Sequence, residues 1–293
     1  MLAAGCSSNH HVSPFPDVDP ALLLRPLDDL EGHVARAERE GRASGLEVAL
    51  RVEGKISGGR RFVALGLGGR DPLGRPLHAV RVATPASIVL ALGPPALSAP
   101  DPTEPNELLP SLMEGGAYPS GTDFTGDGAP DVAVRAADGT LAVFRIDPMG
   151  ATRYAVRSTV VPTRAMDANA DGRPDLAGSA PVPPGDAISP DLVDVAIGVG
   201  TAFRNDVPDA LAFHRARRDR QPPGPAASAE VRLRAAVERA YHALRAGDPA
   251  PAALQPAIDL AAKLAPLDDR TAASWVRWRG YLVDLVSPEA PAK

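Results

Sequence analysis

The feature that most constrains this chain is an acidic segment that occurs twice and aligns with itself without a gap. The first copy, DFTGDGAPDVA, begins at Asp123, and the second, DANADGRPDLA, begins at Asp167. Both copies carry oxygen-bearing side chains at positions 1, 3, 5 and 9, Gly at position 6 and Pro-Asp at positions 8 and 9. Because several carboxylates so close together repel one another, the pattern favours a loop that is fixed by a cation.

The spacing predicts that the cation is calcium. Calcium binds six to eight oxygens at about 2.3–2.6 Å in a loose geometry that a short loop can supply. Side chains at positions 1, 3 and 5 of a tightly coiled loop converge on one point, the carbonyl at position 7 adds an oxygen, and Gly at position 6 permits the sharp turn. Oxygen ligands without His or Cys favour calcium over zinc or copper, and magnesium is less suited because it retains several waters. The alternative is a pair of acidic β-turns that bind no ion.

The start of the pattern is shared with EF-hand loops, but the remainder is not. An EF-hand has a Glu at position 12 and helices on both sides, whereas position 12 here is Val134 or Gly178 and the flanks resemble strands. The combination D-x-[NT]-x-D-G-x-P-D-[VL]-A instead resembles FG-GAP/VCBS repeats, whose calcium loops join strands in integrin-type β-propellers. The first copy continues VAV…ADGTLAVF, as such repeats do, and residues 178–181 resemble their Gly-Ala-Pro element with one residue inserted.

This resemblance implies two calcium ions, each held by four side chains and one main-chain carbonyl. Thr is a weaker ligand than Asn or Asp, so the first site is expected to bind less tightly than the second. A third segment, Asn205–Asp209, matches only the end of the pattern and is expected to bind no metal. The implied ligands are Asp123, Thr125, Asp127, Asp131 and the Ala129 carbonyl at the first ion, and Asp167, Asn169, Asp171, Asp175 and the Arg173 carbonyl at the second.

Hydrophobic periodicity divides the chain into five regions. Residues 26–41 have the pattern of a short amphipathic helix, and apolar residues alternate with polar ones over 46–53, as in a half-buried strand. A helical period returns over 228–246 and 252–265, and Asp268 is placed to cap a third helix. The regions are a start and tether (1–25), a helix with β-hairpins (26–110), the calcium-loop β-repeats (111–216), a linker (217–227) and a helical module (228–293).

These regions predict an α+β fold, with a β-rich propeller-like or sandwich-like repeat region and a C-terminal helical module. A propeller typically needs four to eight four-stranded blades. The chain has material for three or four small ones, so a truncated propeller-like sheet or a β-sandwich is expected rather than a closed ring. The basic run after Arg217 is interpreted as a solvated hinge, and Trp275 and Trp278 as core residues rather than anchors for a partner.

The single cysteine, Cys6, follows small residues in the sequence MLAAGCSS, which resembles the lipobox of bacterial lipoproteins. The resemblance implies a lipid on Cys6 and a location in the cell envelope, at the outer membrane or in the periplasmic or extracellular space. A signal peptide needs an apolar stretch of about 7–15 residues, and only five residues precede Cys6. Either the start is truncated, or the resemblance is accidental and the protein is intracellular with a free thiol.

Several function classes are disfavoured by composition and by the motifs that the sequence lacks. The formal net charge of −5 argues against a nucleic-acid binder with a basic face, and no apolar stretch is long enough to cross a membrane as a helix. The sequence contains no G-x-x-x-x-G-K-[ST], G-x-S-x-G or H-E-x-x-H motif, and the Gly-rich run Ile197–Phe203 lacks the third Gly of a dinucleotide site. Asp191 and Asp194 are expected to end a strand and face solvent.

The sequence therefore predicts a non-enzymatic, calcium-binding envelope lipoprotein. Its ions would stabilise turns so that the sheets present a surface to a protein or glycan partner at the cell surface, and a lipid on Cys6 would contact the membrane. The alternative is an envelope hydrolase in which the β-repeats assist substrate binding.

Overall fold

The computed structural model describes residues 29–56, 58–94, 110–113, 117–159, 161–183 and 185–286. Within these residues the chain is α+β, with five helices and three mostly antiparallel sheets, none of which closes into a barrel. The predicted fold class is therefore confirmed at this level. The predicted tether and Cys6 lie outside the described residues.

The three sheets follow one another along the chain. The first is an antiparallel meander of β1 (Leu46–Lys55), β2 (Arg61–Arg70), β3 (Pro76–Ala83) and β4 (Ile88–Leu92). The second is a meander of β5 (Ser111–Leu112), β6 (Val132–Arg135), β7 (Leu141–Asp147) and β8 (Gly150–Arg153). The third has the order β10-β11-β12-β13-β9, with β9 (Ala155–Arg157), β10 (Arg164–Met166), β11 (Asp175–Ser179), β12 (Val193–Val199) and β13 (Ala202–Arg204). β9 pairs with β13 in parallel, whereas every other pair in the sheet is antiparallel.

The sheets stack face to face, so the second sheet is buried on both faces. Successive side chains of a strand point to opposite faces. In β6, Val132 and Val134 pack against the first sheet, and Ala133 packs against the third. This double burial explains why the strands around the acidic segments are nearly continuous in apolar residues rather than alternating.

Five helices flank this stack, and three of them were predicted from periodicity near the C-terminus. The helices are α1 (Leu30–Ala43), α2 (Pro208–Arg218), α3 (Ala229–Arg245), α4 (Ala250–Leu264) and α5 (Asp269–Asp284). α1 packs on the outer face of the first sheet and α2 on the outer face of the third. Ser228 caps α3, and Asp268 caps α5 by accepting a hydrogen bond from the Thr271 amide, as expected. No helix in the described ranges is long and apolar enough to cross a membrane.

The helix α2 corrects two interpretations of the sequence. The expected third loop copy is instead a helix start, because Val207 caps α2 and Pro208 begins it. Proline is favoured in a first helical turn, where its missing N–H leaves no hydrogen bond unmade. Arg217 and Arg218, assigned to a solvated hinge, belong to the last turn of α2. Arg217 lies 4.8 Å from the centroid of the Phe213 ring.

The C-terminal helices α3, α4 and α5 share a hydrophobic core with the segment that connects β11 to β12. Ile188 and Leu192 are buried in the same cluster as Trp278. The Trp278 indole donates a hydrogen bond to the Ile188 carbonyl at 2.7 Å, and the Ile188 amide donates to Ser274 Oγ at 3.0 Å. Trp278 therefore has the predicted core role, and Trp275 packs partly buried against the same cluster.

Candidate functional site

The two acidic segments occupy equivalent places in their sheets. The first leads from β5 into β6, and the second leads from β10 into β11, so each precedes the second strand of its sheet. They are also neighbours, since the Arg173 guanidinium of the second segment lies so close to Gly126 of the first that a Cβ at Gly126 would overlap it. The two segments therefore lie side by side at one edge of the stack.

The backbone of the two segments bends in the same way. Position 6 has a positive φ in both, +83° at Gly128 and +84° at Gly172, as the predicted sharp turn requires. Position 4 also has a positive φ in both, +74° at Gly126 and +60° at Ala170. Ala170 is the only non-glycine residue with positive φ in the described part of the chain. The sequence pattern did not reveal this second left-handed position, because Ala is uncommon there.

Three hydrogen bonds recur at the same positions of both segments. The carboxylate at position 1 accepts a hydrogen bond from the backbone amide of position 6. The carboxylate at position 5 accepts one from the amide of position 7, and the carboxylate at position 9 accepts one from the amide of position 2. The pairs are Asp123–Gly128 (2.8 Å) and Asp167–Gly172 (2.9 Å), Asp127–Ala129 and Asp171–Arg173 (both 2.8 Å), and Asp131–Phe124 (2.9 Å) and Asp175–Ala168 (3.0 Å). The two segments thus share one loop conformation as well as one sequence pattern.

The position-9 carboxyl groups are buried, and the other carboxylates of their loops repel their negative charge. Asp131 is 1% exposed and Asp175 is 3% exposed. Burial, with a smaller contribution from the negative charges at positions 5 and 1, raises the pKa of Asp131 to about 7 and that of Asp175 to about 6. None of the six loop aspartates forms an ion pair with Lys, Arg or His among the residues described. The loop carboxylates therefore have no ion-pair partner among the described residues, although the Arg173 guanidinium lies against Gly126 of the first loop.

The position-3 side chains contact their neighbours. Thr125 Oγ1 lies 3.4 Å from the Tyr154 hydroxyl, which also lies 3.3 Å from Asp131 Oδ1. Asn169 Nδ2 donates to Asp171 at 3.1 Å and to Asp209 at 3.2 Å. In the part of the chain that the structure covers, no group of three or more His, Cys, Asp or Glu side chains already surrounds a common point as metal ligands would. The loop carboxylates instead accept hydrogen bonds from the amides of their own loops.

The left-handed position 4 gives a paired prediction on stability. We expect Ala170→Gly to stabilise the protein by up to about 1 kcal/mol. Removing the Cβ relieves the left-handed conformation, which costs roughly 1–2 kcal/mol, and this gain exceeds the roughly 0.4–1 kcal/mol of added chain entropy in the unfolded state. Gly126→Ala should destabilise the protein, because its Cβ meets the Arg173 guanidinium. Urea unfolding measures both changes.

Gly139→Ala is the matched control, since Gly139 has φ +86° with open space around its Cβ position. Gly126→Ala should cost more than Gly139→Ala by the energy of displacing Arg173. A smaller cost for Gly126→Ala than for Gly139→Ala, or a clear loss of stability in Ala170→Gly, would contradict this account of the loops.

A second cluster of functional groups was missed by sequence reasoning. Asp194, expected to face solvent, is fully buried. Its carboxylate accepts from Ser158 Oγ at 2.8 Å, from the Thr159 amide at 2.9 Å, from Thr159 Oγ1 at 2.7 Å and from Asn205 Nδ2 at 3.1 Å. His214 Nε2 lies 3.0 Å from the other carboxylate oxygen, Asp194 Oδ1. The prediction for Asp194 was wrong because these partners come from segments far apart in the sequence, which a strand pattern cannot reveal.

The chain of contacts continues from His214 to His242, whose Nδ1 atoms lie 2.8 Å apart. Burial, together with electrostatic repulsion from His214 and Arg217, lowers the pKa of His242 to about 3. Burial alone would raise the pKa of Asp194, but the hydrogen bond from His214 and the charge of Arg245 hold it well below its usual range. The cluster is closed to solvent and joins β12, α2 and α3.

A groove of about 390 Å³ lies between α3 and α4. Its lining includes five alanines, three basic side chains and a single carboxylate, that of Asp259, which accepts a hydrogen bond from Gln255 at 2.8 Å. With one carboxylate, the groove lacks the pair of acids that most glycoside hydrolases use.

Comparison with known proteins yields no relative for this chain: no family model, no curated protein and no solved structure matches it.

Proposed function

We propose that this protein is a non-enzymatic, calcium-binding envelope lipoprotein with FG-GAP/VCBS-like repeats, in which two ions stabilise the acidic loops. The observation that carries the proposal is that the segments starting at Asp123 and Asp167 share their backbone turns and three hydrogen bonds. Two segments that share an acidic pattern and also a conformation are better explained by a common ligand than by unrelated turns.

The chemistry of the donor groups fits calcium. Each loop offers three carboxylates and one hydroxyl or amide oxygen, with no thiolate or imidazole, and such oxygen donors suit a hard cation. The buried Asp131 and Asp175 carry raised pKa values that a neighbouring cation would lower. A bound ion would supply positive charge that offsets the repulsion among the loop carboxylates. The residues that would hold it are those that the repeat resemblance implies.

The stack of sheets supports a propeller-like arrangement over a two-layer sandwich. Three four- or five-stranded sheets follow one another along the chain and pack face to face, as successive blades do. Both acidic loops enter the second strand of their sheet, which is consistent with repetition of one structural unit. We therefore infer an open, propeller-like array of three blades, with the loops along one edge.

A role in presenting a surface follows from this arrangement. Ions that fix turns at one edge would hold that edge in a defined shape, which a protein or glycan at the cell surface could recognise. The proposed envelope location rests on the lipobox-like sequence around Cys6. Mass spectrometry of the protein from native membranes tests it, because unmodified Cys6 in the mature chain would exclude lipid anchoring.

The alternative function, an envelope hydrolase, has less support in the described residues. The groove between α3 and α4 contains one carboxylate, Asp259. The Asp194–His214–His242 cluster resembles a proton relay in composition, but its three side chains are buried from solvent and would not meet a substrate.

Calorimetric titration with calcium tests the proposed function directly. We expect two ions per chain, with Asp127→Asn and Asp171→Asn each removing one of them. Asn keeps the size of the side chain and an oxygen that accepts the position-7 amide, so the loop conformation should persist while its charge falls. The matched control is Asp138→Asn, in the turn between β6 and β7, where Asp138 accepts from the Thr140 amide at 2.8 Å.

Asp138→Asn should still bind two ions. If the folded wild-type protein takes up no calcium at millimolar concentration, as judged by equilibrium dialysis, the proposal is wrong. Retention of two ions in both loop variants would show that calcium binds elsewhere.

A further inference from the structure

The Asp194–His214–His242 cluster connects the third sheet to α2, and α2 to α3. Asp194 lies on β12, His214 on α2 and His242 on α3, and the contacts between them measure 3.0 Å and 2.8 Å. Arg245 of α3 adds an ion pair to Asp194 at 3.6 Å. α3 is therefore joined to the third sheet through three buried side chains, Asp194, His214 and His242, and through Arg245, whose side chain is partly exposed.

The contact between the two histidines depends on how many protons the pair holds. Each Nδ1 can either donate or accept, so a 2.8 Å contact requires one Nδ1 with hydrogen and one without. If both rings were imidazolium, two N–H groups would face each other at hydrogen-bond distance. When His214 donates from both of its nitrogens, Nε2 to Asp194 and Nδ1 to His242, a proton added at His242 Nδ1 breaks the contact between the two rings.

The charges around His242 also oppose an added proton. Arg217 and Arg245 each have a buried Nε atom with no hydrogen-bond acceptor in the described structure, so both guanidinium groups are incompletely hydrogen-bonded. The titratable and charged groups that face His242 and its partners are Asp194 from β12, His214 and Arg217 from α2, Arg220 after α2, Tyr241 and Arg245 from α3, and Tyr281 from α5.

We infer that this cluster is an acid-sensitive latch, which holds α2 and α3 on the third sheet while His242 is neutral and releases them when His242 binds a proton. Release would uncover the apolar face of the third sheet that α2 covers, including Val195 and Ile197. The inference does not depend on calcium binding.

The direction of the pH effect follows from burial. Because burial lowers the pKa of His242 in the closed state, the proton binds preferentially to the open state, in which the ring regains a pKa near its ordinary value of about 6.5. The latch is fully closed above about pH 6.5 and weakens as the pH falls towards the lower pKa of the closed state. For one proton, the equilibrium constant for opening rises about tenfold for each pH unit in that range.

Hydrogen exchange of the full chain, corrected for the intrinsic pH dependence of exchange, tests the latch. Between pH 6.5 and 4.5 we expect protection of α2 and α3 amides to fall about 50-fold, while amides of α1 and the first sheet keep theirs. In His242→Asn this dependence should disappear, since the Asn amide can still bond to His214 Nδ1 but does not titrate. His33→Asn, on the distant helix α1, should retain the wild-type dependence.

The outcomes separate a latch from a general acid effect. Equal pH dependence in wild type and His242→Asn would overturn the inference, and so would simultaneous loss of protection in α1, α2 and α3. If His242→Asn does not fold, NMR titration of the wild-type histidines decides instead: a His242 ring that becomes protonated near pH 6.5 without any loss of α2 and α3 protection contradicts the latch.

Discussion

Saturating calcium should raise the free energy of unfolding of this protein by about 5 kcal/mol. A ligand that binds only the folded state contributes about 2.7 kcal/mol at a hundred times its dissociation constant, and two independent sites contribute about twice that. For a chain of this size, each kcal/mol moves the melting temperature by roughly 2–4 °C, so the total shift is on the order of 10–20 °C. Calorimetric melting in calcium and in excess chelator measures the difference.

The calcium-dependent rise in melting temperature should depend on the loops that begin at Asp123 and Asp167. Asp127→Asn combined with Asp171→Asn should lose most of the calcium-dependent shift, while Asp138→Asn keeps it. Magnesium at the same concentration should produce a smaller shift, because it gives up its bound waters reluctantly. A melting temperature that is the same with calcium and with chelator would remove the basis for the metal site.

Asp194→Ala should destabilise the protein by about 3–5 kcal/mol, the usual cost of removing one partner from a buried charged pair. The variant leaves the His214, Thr159 and Asn205 donors without an acceptor in a site that is closed to water. It also leaves Arg245 without its carboxylate partner. Urea unfolding at pH 7.5 measures the loss.

Asp191→Ala is the matched control for this result. Asp191 is three residues away, its side chain is 61% exposed, and it pairs with Arg217 at 3.6 Å. A pair whose carboxylate is exposed to solvent contributes at most about 1 kcal/mol, although the Arg217 side chain is only 16% exposed. If the two variants cost the same, the buried cluster does not contribute to stability as its hydrogen bonds imply.

The acidic loops show how far spacing alone predicts a site. Repetition of oxygen-bearing residues located both segments, and Gly at position 6 correctly indicated a left-handed turn at Gly128 and Gly172. The second left-handed turn was not predicted, because Ala170 occupies it in one copy and only the fold forces that conformation. Contacts such as Tyr154 with Asp131 were also beyond prediction, since they join residues that no local pattern relates.

Local sequence patterns predicted some elements of the fold, and they failed where the structure depends on residues that are distant in sequence. Periodicity and capping residues predicted β1 and the C-terminal helices, because those signals are local. The start of α2 at Pro208 was taken for the end of a loop, since Asp-x-Pro-Asp fits both. The burial of Asp194 depends on segments that meet only after the sheets have stacked.

The parallel pairing of β9 with β13 bears on the order of assembly and on self-association. The chain leaves the second sheet after β8, and β9 joins the third sheet beside β13, a partner that follows it by more than 40 residues in sequence. Such a distant pairing forms slowly compared with the first meander, whose neighbours are consecutive. Once formed, the sheet terminates in a three-residue strand with Arg157 at its end, which is too short and too charged to template another molecule.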